Sequence, residues 1–338
     1  MIKEAIAQIV RGRDLEADDM ARVFDEVMSG TATPAQIGGL LTALHMKGET
    51  PAEIVGAART MRAKATKVEI EADRLVDTCG TGGDGKRTFN ISTAVAFVVA
   101  GAGIPVAKHG NRAVSSGCGS ADVLERLGVK IDLDPEAVAA CIARAGFGFL
   151  FAPIFHTAMR HAIGPRRELG FRTIFNLLGP LTNPAGASRQ VLGVFDAALV
   201  RTMAEVLREL GTEHSLVVHG AGGTDELTLA GPNLVCECRG GEIREYTVSP
   251  ADLGLAEAPL AALAGGEAER NAEILLEVLE GRSGPQRDAV LLNAAAAFIA
   301  ADEVGEFREG IELAAKTIDS GAARGVLENL RRMNAMAV

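Results

Sequence analysis

Hydrophobic residues recur at helical spacing over residues 1–65, and this pattern predicts an all-helical segment. Thr33 followed by Pro34 is a helix start, with Thr at the N-cap and Pro at the first helical position, and Thr50 repeats it before another Pro. Gln36 and Glu53 stand where a capping box needs them. The segment carries no catalytic chemistry, so we expect it to pack against another helical surface, such as a second subunit.

From residue 75 onward, short apolar runs alternate with amphipathic segments. Strands are predicted at 75–78, 106–108, 148–151, 191–194, 215–219 and 234–238, and helices at 92–102, 121–127, 135–145, 199–210, 269–280, 287–301 and 307–319. Turn residues predict an antiparallel excursion near 227–248. This alternation predicts an α/β fold with a mostly parallel central sheet covered by helices, with ligands bound at the carboxyl ends of the strands.

Composition narrows the class of protein. The chain has 338 residues, is 48% hydrophobic and carries a formal net charge of −10. It can bury a core large enough for two domains, and its acidic balance argues against a nucleic-acid-binding surface. No run approaches the length of a membrane span, and the amphipathic start is unlike a signal peptide. Five cysteines without metal spacing are typical of packing residues in a reduced cytosol, so we expect a cytoplasmic protein.

Chemistry concentrates between residues 75 and 122. Residues 80–85 read GTGGDG, with four glycines in six positions, and a second loop follows with KHGNR at 108–112 and SSGCGS at 115–120. No Asp or Glu occurs between Lys86 and Ala121, whereas Lys86, Arg87, Lys108 and Arg112 all do. Glycine lets main-chain N–H groups approach a ligand, and helix N-termini favour anions. The segment therefore predicts a phosphate site.

Two familiar motifs fit the first loop only superficially. The glycines match the dinucleotide fingerprint GxGxxG, but no acidic residue follows about 20 positions later to bind a ribose. GxxxxGK is also matched, but Arg87 stands where a P-loop needs Ser or Thr for Mg²⁺. A structural turn without a ligand would leave the entropic cost of ordering so many glycines unexplained.

The ordered set of motifs closely resembles the anthranilate phosphoribosyltransferase family. The motifs are DTCGTGGDG at 77–85, NIST at 90–93, KHGNR at 108–112, SSGCGSAD at 115–122, FNLLGPLTNP at 175–184 and the Asp225–Glu226 pair. The resemblance implies phosphoribosyl transfer from phosphoribosyl pyrophosphate to anthranilate in tryptophan biosynthesis. It also implies a homodimer with a small helical domain at 1–70, completed by helices within about 165–185, and an α/β domain at 71–338, with the active site between them.

The resemblance also assigns ligands to particular residues. Those implied to bind phosphoribosyl pyrophosphate are Gly80, Thr81, Gly82, Gly83, Asp84, Thr88, Asn90, Ile91, Ser92, Thr93, Lys108, His109, Gly110, Asn111, Ser116 and Ser120. Those implied to bind anthranilate are Gly80, His109, Asn111, His156, Arg166 and Pro180. Ser92, Asp225 and Glu226 are the implied ligands of Mg²⁺, which prefers one or two carboxylates plus substrate phosphates.

Several of these residues have simpler structural explanations. Asn90 and Ser92 suit ordinary helix capping, His109 suits a buried core histidine, and adjacent acids usually lie on a solvated surface. Arg166 suits an exposed helix end. No covalent nucleophile or acid-base group is assigned, because Cys79 and Cys118 lack an evident activating base.

Three other functions compete with the transferase. A pyrimidine nucleoside phosphorylase is expected to carry a further C-terminal domain, whereas this sequence ends at Val338 after a predicted closing helix. A noncatalytic nucleic-acid-binding relative should have a basic surface and degraded substrate motifs. A purely structural helical dimer would not explain the acid-free glycine segment.

Overall fold

The computed structural model describes residues 1–113 and 117–336. Four helices form the N-terminal part: α1 (Ile2–Ile9), α2 (Ala17–Met28), α3 (Pro34–Lys47) and α4 (Pro51–Lys64). Both predicted capping boxes are present. Gln36 N donates to Thr33 Oγ1 over 3.3 Å and Gln36 Oε1 accepts from Thr33 N over 2.8 Å, and Thr50 and Glu53 repeat the arrangement. These caps fix where α3 and α4 begin.

Strands and helices alternate through the rest of the chain. The strands are β1 (Val76–Gly80), β2 (Val106–Gly110), β3 (Phe147–Phe151), β4 (Arg189–Gly193), β5 (His214–His219), β6 (Asn233–Arg239) and β7 (Glu242–Val248). The helices are α5 (Ile91–Gly101), α6 (Ser120–Arg126), α7 (Pro135–Ala145), α8 (Ala152–Phe155), α9 (Arg160–Leu169), α10 (Ile174–Leu178), α11 (Leu199–Glu209), α12 (Ala268–Leu279), α13 (Pro285–Ala300), α14 (Phe307–Asp319) and α15 (Ala322–Met336).

The strands form one sheet in the order β3-β2-β1-β4-β5-β6-β7. The first five strands are parallel to their neighbours, and β6 and β7 are added antiparallel. The predicted α/β fold with a mostly parallel sheet, together with its antiparallel excursion, is therefore confirmed. β1 and β2 each extend two residues beyond the predicted ends, because their terminal glycines Gly80 and Gly110 still pair with Gly193 and Phe151.

The order in which strands join the sheet reverses beside β1. β2 and β3 extend the sheet on one side of β1, whereas β4 and β5 extend it on the other. In open α/β sheets this reversal leaves a crevice outside the carboxyl ends of the two central strands. Gly80 and Gly193, paired in register, lie at that point.

Apolar side chains cover both faces of the sheet. Val191, Leu216 and Val218 face a core built with α5 and α13. The alternate positions, including Leu192 and Val217, face a core shared with α11 and α1–α4. α9 packs on α3 and α10 packs on α4, so these later helices join the N-terminal ones. None of the helices within the described ranges combines the length and apolarity that a membrane crossing needs.

Candidate functional site

The glycine loop after β1 is held by an aspartate from a distant part of the chain. Asp225 Oδ2 accepts a hydrogen bond from Gly82 N over 2.7 Å. Asp225 follows the turn at 220–224 that ends β5, so the loops after β1 and β5 meet. The structure thus brings together one of the glycines and one of the acids that the sequence singled out separately.

The neighbouring glutamate binds the N-terminus of α5. Glu226 Oε1 accepts from Ser92 N over 3.0 Å, in the first turn of that helix. A carboxylate at this position satisfies an N–H that has no partner within the helix and interacts favourably with the helix dipole. The acidic pair therefore lies inside the crevice, and the alternative of a solvated surface pair is excluded.

Close packing explains why glycine is needed at both strand ends. A Cβ at Gly80 would overlap the Asp225 carboxylate, and a Cβ at Gly193 would overlap the Asp225 main-chain carbonyl group. The backbone of β4 and the acidic loop therefore touch directly. Substituting either glycine with a larger residue would push the acids away from the glycine loop.

Burial and mutual repulsion dominate the electrostatics of the acidic pair. Loss of hydration on burial is the main cause that raises the pKa values of Asp225 and Glu226, and the charges of Asp84 and Asp225, respectively, raise them further. Asp84 Oδ2 is buried without a hydrogen-bond partner among the described residues. Mutually repelling carboxylates with an unpartnered oxygen suit a divalent cation.

The donor set also fits Mg²⁺ rather than a metal bound by protein alone. Over residues 1–113 and 117–336, no group of three or more His, Cys, Asp or Glu side chains is arranged to enclose a metal ion. Mg²⁺ usually keeps several waters or substrate oxygens beside one or two carboxylates. Asp225 and Glu226 are such a sparse pair.

Lys108 supplies a cation beneath the crevice. It is only 2% exposed, its Nζ donates to the Thr78 carbonyl oxygen, and it lies 3.3 Å from Ser92 Oγ. Burial lowers its pKa, and the charge of Asp77 partly opposes that effect. Lys108 therefore connects β1, β2 and the start of α5.

The second loop has less free positive charge than the sequence suggests. Arg112 pairs with Asp122 over 2.9 Å and with Glu125 over 2.5 Å, both on α6. Ser120 Oγ donates to the Asn111 carbonyl oxygen over 3.3 Å, and a Cβ at Gly110 would overlap that hydroxyl. Ser116, also predicted to bind phosphate, lies outside the described residues.

Residues 88–93 form the start of α5 and the segment before it. Thr88 forms a β-bridge with Ala264. The Asn90 amide does not cap the helix, because it donates to the Cys118 carbonyl oxygen and accepts from Asn271 Nδ2 over 2.9 Å. Ile91 and Thr93 are buried. Asn271 was not found from sequence, since its partner lies 181 residues away.

A pair of histidines lies at the ends of β2 and α8. The ring centroids of His109 and His156 are 5.1 Å apart, and each residue is 7% exposed. Burial lowers their pKa values to about 3 and about 4, and for His109 the neighbouring His156 adds to the effect. Both rings are thus neutral at pH 7, and Nε2 of each is buried without a partner among the described residues.

The turn that carries Pro180 is adjacent to this pair. His109 Nδ1 donates to the Gly179 carbonyl oxygen over 3.1 Å, which leaves Nε2 as the unprotonated nitrogen. Pro180 is buried in the 3-10 turn Gly179–Leu181 after α10. Two unpartnered imidazole nitrogens next to an apolar turn suit an aromatic ligand with polar substituents.

Arg166 lies on α9, the helix that packs on α3. It is half-buried, burial lowers its pKa, and it forms neither a hydrogen bond nor an ion pair within the part of the chain that is described. A half-buried guanidinium without a carboxylate partner is unusual, because burying a charge without compensation is costly. Its position is consistent with an anion binder, although the sequence alone equally allowed an exposed helix end.

Arg172 was not found from the sequence. Its Nη1 donates to the Gly83 carbonyl oxygen over 3.3 Å, and its guanidinium lies 4.1 Å from the centroid of the Phe195 ring. It joins the segment between α9 and α10 to the glycine loop. Arg172 therefore supplies positive potential beside the glycine loop, whereas the charge of Arg112 is neutralised by two acids.

Cavities occur at both ends of the sheet. A small one, about 10 Å³, lies between Ser92, Gly193, Asp225 and Glu226 and matches the space for one water molecule. A much larger one, about 870 Å³, lies at the opposite end among α5, α7 and α15 and is lined mainly by Ala and Gly. Size alone would favour the larger cavity, but the polar and charged groups converge at the smaller one.

Comparisons with known proteins give matches over nearly the whole chain. Two family models match: the helical bundle domain of a glycosyl transferase family at residues 3–65, and the a/b domain of the same family at residues 72–324. The anthranilate phosphoribosyltransferase of Pelotomaculum thermopropionicum is 56% identical over 98% of this chain and 96% of its own length. That of Chloroflexus aggregans is 58% identical over 99% and 98%.

Solved structures are similar to this chain as well. The anthranilate phosphoribosyltransferase of Thermus thermophilus superimposes with a TM-score of 0.93 at 47% identity, covering 97% of this chain and 98% of its own. The enzyme of Saccharomyces cerevisiae, solved in complex with phosphoribosyl pyrophosphate and Mg, gives 0.89 at 28% identity over 99% and 98%.

Proposed function

The chain belongs to the anthranilate phosphoribosyltransferase family, and from this premise we propose that it transfers the 5-phosphoribosyl group of phosphoribosyl pyrophosphate to the amine of anthranilate. The products are N-(5-phosphoribosyl)anthranilate and pyrophosphate, and the reaction is a step of tryptophan biosynthesis. The observation that carries the proposal is that, at the reversal point of a parallel sheet, Asp225 meets the glycine loop and Glu226 meets the start of α5.

The donor substrate is assigned to the glycine loop, the start of α5 and the second loop. The main-chain N–H groups of Gly83 and Asp84, together with the hydroxyl of Ser92, suit phosphate oxygens. The N–H groups at 81–82 and 91–93 already donate to acceptors within the protein. Lys108 contributes a buried charge near Ser92. Asn111 and Ser120 carry polar groups on the opposite loop, where the other phosphate would bind.

Asp225 and Glu226 would hold Mg²⁺, with the Ser92 hydroxyl on the same side. When bound, Mg²⁺ would neutralise the charge that develops on the departing pyrophosphate. The protein's own contribution is to keep both carboxylates fixed, through Gly82 N and Ser92 N, before the substrate arrives. Such preorganised groups need little rearrangement during the reaction.

The acceptor is assigned to the histidine pair, Asn111, Arg166 and Pro180. Neutral imidazoles offer hydrogen-bonding nitrogens without repelling or attracting charge, since burial lowers the pKa values of both histidines, and Pro180 supplies an apolar surface. Arg166 suits the carboxylate because a guanidinium binds two oxygens at once. No general base is assigned, since an aromatic amine already has an available lone pair at pH 7.

The mechanism follows from positioning and electrostatics. The amine nitrogen forms a bond to C1 of the ribose, the bond from C1 to pyrophosphate breaks with its electron pair leaving on pyrophosphate, and the nitrogen then releases one proton. Holding two reactants in line supplies on the order of 7–11 kcal/mol of the barrier. The described groups bind and orient both substrates, and none is required to form a covalent intermediate.

The direct test is the loss of anthranilate fluorescence on adding phosphoribosyl pyrophosphate and Mg²⁺. The chain has no Trp and a single Tyr, Tyr246, so the protein background is low. Omitting each reactant in turn shows which substrates the reaction requires and whether it requires the metal. Phosphate-dependent cleavage of thymidine or uridine, without anthranilate turnover, would instead indicate a nucleoside phosphorylase.

Replacing the acidic pair tests the metal assignment. Asp225→Asn combined with Glu226→Gln should reduce Mg²⁺-dependent kcat by roughly 100-fold or more, the loss typical of a removed electrostatic group. The fold should persist, because neutral amides remove a buried charge repulsion.

The matched control is Asp252→Asn with Glu257→Gln, which changes the net charge equally at two exposed positions. Its kcat should stay at the wild-type value. Full turnover by the Asp225–Glu226 variant, with circular dichroism unchanged, would remove both residues from the metal site.

We further propose a homodimer formed through the helical N-terminal part and a cytoplasmic location. Val10 and Met46 are 71% and 82% exposed, so the end of α1 and the surface of α3 present apolar side chains to solvent. Light scattering coupled to size exclusion measures the assembled mass. All five cysteines are free thiols, which supports the expectation of a reducing compartment.

A further inference from the structure

The turn Gly179–Leu181 is held by three side chains from three different elements. The Gly179 carbonyl oxygen accepts from His109 Nδ1 over 3.1 Å. The Pro180 carbonyl oxygen accepts from Gln190 Nε2 over 2.7 Å, and that of Leu181 accepts from Arg62 Nε over 2.6 Å. Every carbonyl of this short turn is therefore bound by β2, β4 or α4. Such a turn has little freedom to move.

His109 belongs to the proposed substrate pocket, whereas Gln190 and Arg62 do not. Of these two donors, Gln190 is the more deeply buried. It is 4% exposed, in the second position of β4, beneath the turn. Its Nε2 also lies 3.1 Å from Cys79 Sγ and 3.5 Å from Asp77 Oδ2. Several partners hold this buried amide in one orientation. The amide therefore fixes the position of the turn relative to the sheet.

Asp77 links Gln190 to the first histidine. Asp77 is fully buried, its Oδ1 accepts from His109 N over 3.2 Å, and its Oδ2 accepts from Asn183 Nδ2 over 2.8 Å. Asn183 Nδ2 also donates to the Ala107 carbonyl oxygen over 2.8 Å. The polar network thus joins β1, β2, β4 and the segment after the turn. This network fixes Pro180 through Gln190 and His109 through Asp77.

We infer that Gln190 is a positioning residue for the acceptor site, holding Pro180 against the histidine pair so that an aromatic ring with an amine and a carboxylate fits between them. This inference rests on the proposed function. Gln190 reaches the acceptor only through Pro180 and the network, and neither Asp225 nor Glu226 is among its hydrogen-bond partners in the described residues. Its loss should therefore affect the acceptor more than the donor.

The test is Gln190→Met, which keeps the length of the side chain and removes the amide. We expect the KM for anthranilate to rise on the order of 3- to 30-fold, with kcat and the KM for phosphoribosyl pyrophosphate changed by less than about twofold. Gln190→Asn retains an amide that is one methylene shorter and serves if the Met variant does not fold. Its effect should have the same direction.

The matched control is Gln286→Met, because Gln286 Nε2 also donates to a main-chain carbonyl, that of Ala262, over 2.9 Å. Both KM values should stay at wild-type levels in this variant. An equal rise in both KM values, or a loss confined to kcat, in the Gln190 variants would show that Gln190 is merely structural. Unchanged kinetics would also overturn the inference. An inactive wild type would instead overturn the proposed function, and the inference with it.

Discussion

At the scale of single residues, burial determines the chemistry of the site more than charge count does. The acid-free segment predicts a cationic, glycine-lined region, yet Arg112 is neutralised by Asp122 and Glu125 on α6. Those acids begin at the first residue after the acid-free segment. The net charge around a site cannot be predicted from one segment of sequence, because residues outside that segment can lie beside it in the fold.

The histidine pair gives a prediction for the pH dependence of stability. The folded-state pKa values of about 3 for His109 and about 4 for His156 lie below the unfolded value of about 6.5. The unfolded chain therefore binds more protons between these values, so the free energy of unfolding rises with pH through this window and falls as pH drops below about 6.5. Each histidine should lower the free energy of unfolding at pH 5 by roughly 2 kcal/mol relative to pH 8.

His156→Gln should remove about one histidine's share of that difference. Urea unfolding of wild type and variant at pH 5 and pH 8 measures it. His45→Gln, at an exposed position on α3, is the control and should retain the wild-type difference. A His156 variant with the full wild-type difference would mean that His156 titrates normally in the folded protein.

The sequence predicted several of these residues but not their partners. Asp225 and Glu226 were identified through the family resemblance, and their position after a predicted strand and the glycines at 220–223 added support. The contacts of Glu226 with Ser92 and of Gln190 with Pro180 could not, since they depend on which strands become neighbours. Asn90 illustrates the limit, because its local sequence predicts a helix cap and tertiary contacts with Asn271 replace it.

At the scale of elements, the strand ends were the least predictable part of the fold. Apolar runs identified every parallel strand, but β1 and β2 continue into glycines that lack an apolar signal. Pairing with a neighbouring strand, rather than side-chain burial, keeps those glycines extended. α9 begins at Arg160, before the expected range, although Pro165 lies inside it.

The contact between β4 and the acidic loop gives a prediction at this scale. In Gly193→Ala the new methyl group would collide with main-chain atoms of Asp225, which cannot rotate away. We expect a loss of roughly 1–3 kcal/mol in the free energy of unfolding and a lower kcat, because Asp225 is displaced. Gly325→Ala on α15 is the control. Its Cβ meets no atom within 4 Å, so it should stabilise the helix by about 0.5–1 kcal/mol.

Denaturant unfolding and steady-state kinetics of both glycine variants check this expectation. If Gly193→Ala retained wild-type stability and kcat, β4 and the acidic loop would be farther apart than described.

At the scale of the whole molecule, the helical part and the sheet share one apolar cluster. Leu40 and Leu44 of α3 belong to the same cluster as Leu192 of β4 and Val217 of β5, connected through α11 and α4. The sequence predicted two parts, but it could not show that they share a core. Shared burial couples their stability, since neither part can lose structure without exposing the other.

We therefore expect both parts to unfold together. Leu40→Ala should shift the urea transitions of helical circular dichroism and of Tyr246 fluorescence equally, by roughly 2–5 kcal/mol in the free energy of unfolding. Tyr246 lies on β7, far along the sheet, and donates to Glu237 Oε2 over 3.0 Å, so it reports on the sheet rather than on α3. A helical transition in two steps, with an early step of about the amplitude expected for α1–α4 alone and with Tyr246 fluorescence unchanged in that step, would show that the helical part unfolds independently.

Because β6 and β7 are added antiparallel beyond β5, β7 forms one border of the sheet. β7 presents Glu242, Arg244 and Glu245 as exposed side chains on that border strand. Alternating charges disfavour the docking of a foreign strand, whose apolar side chains would have to be placed against them. The reversal of chain direction after β5 thus places at this border of the sheet a strand whose charges disfavour pairing with another chain.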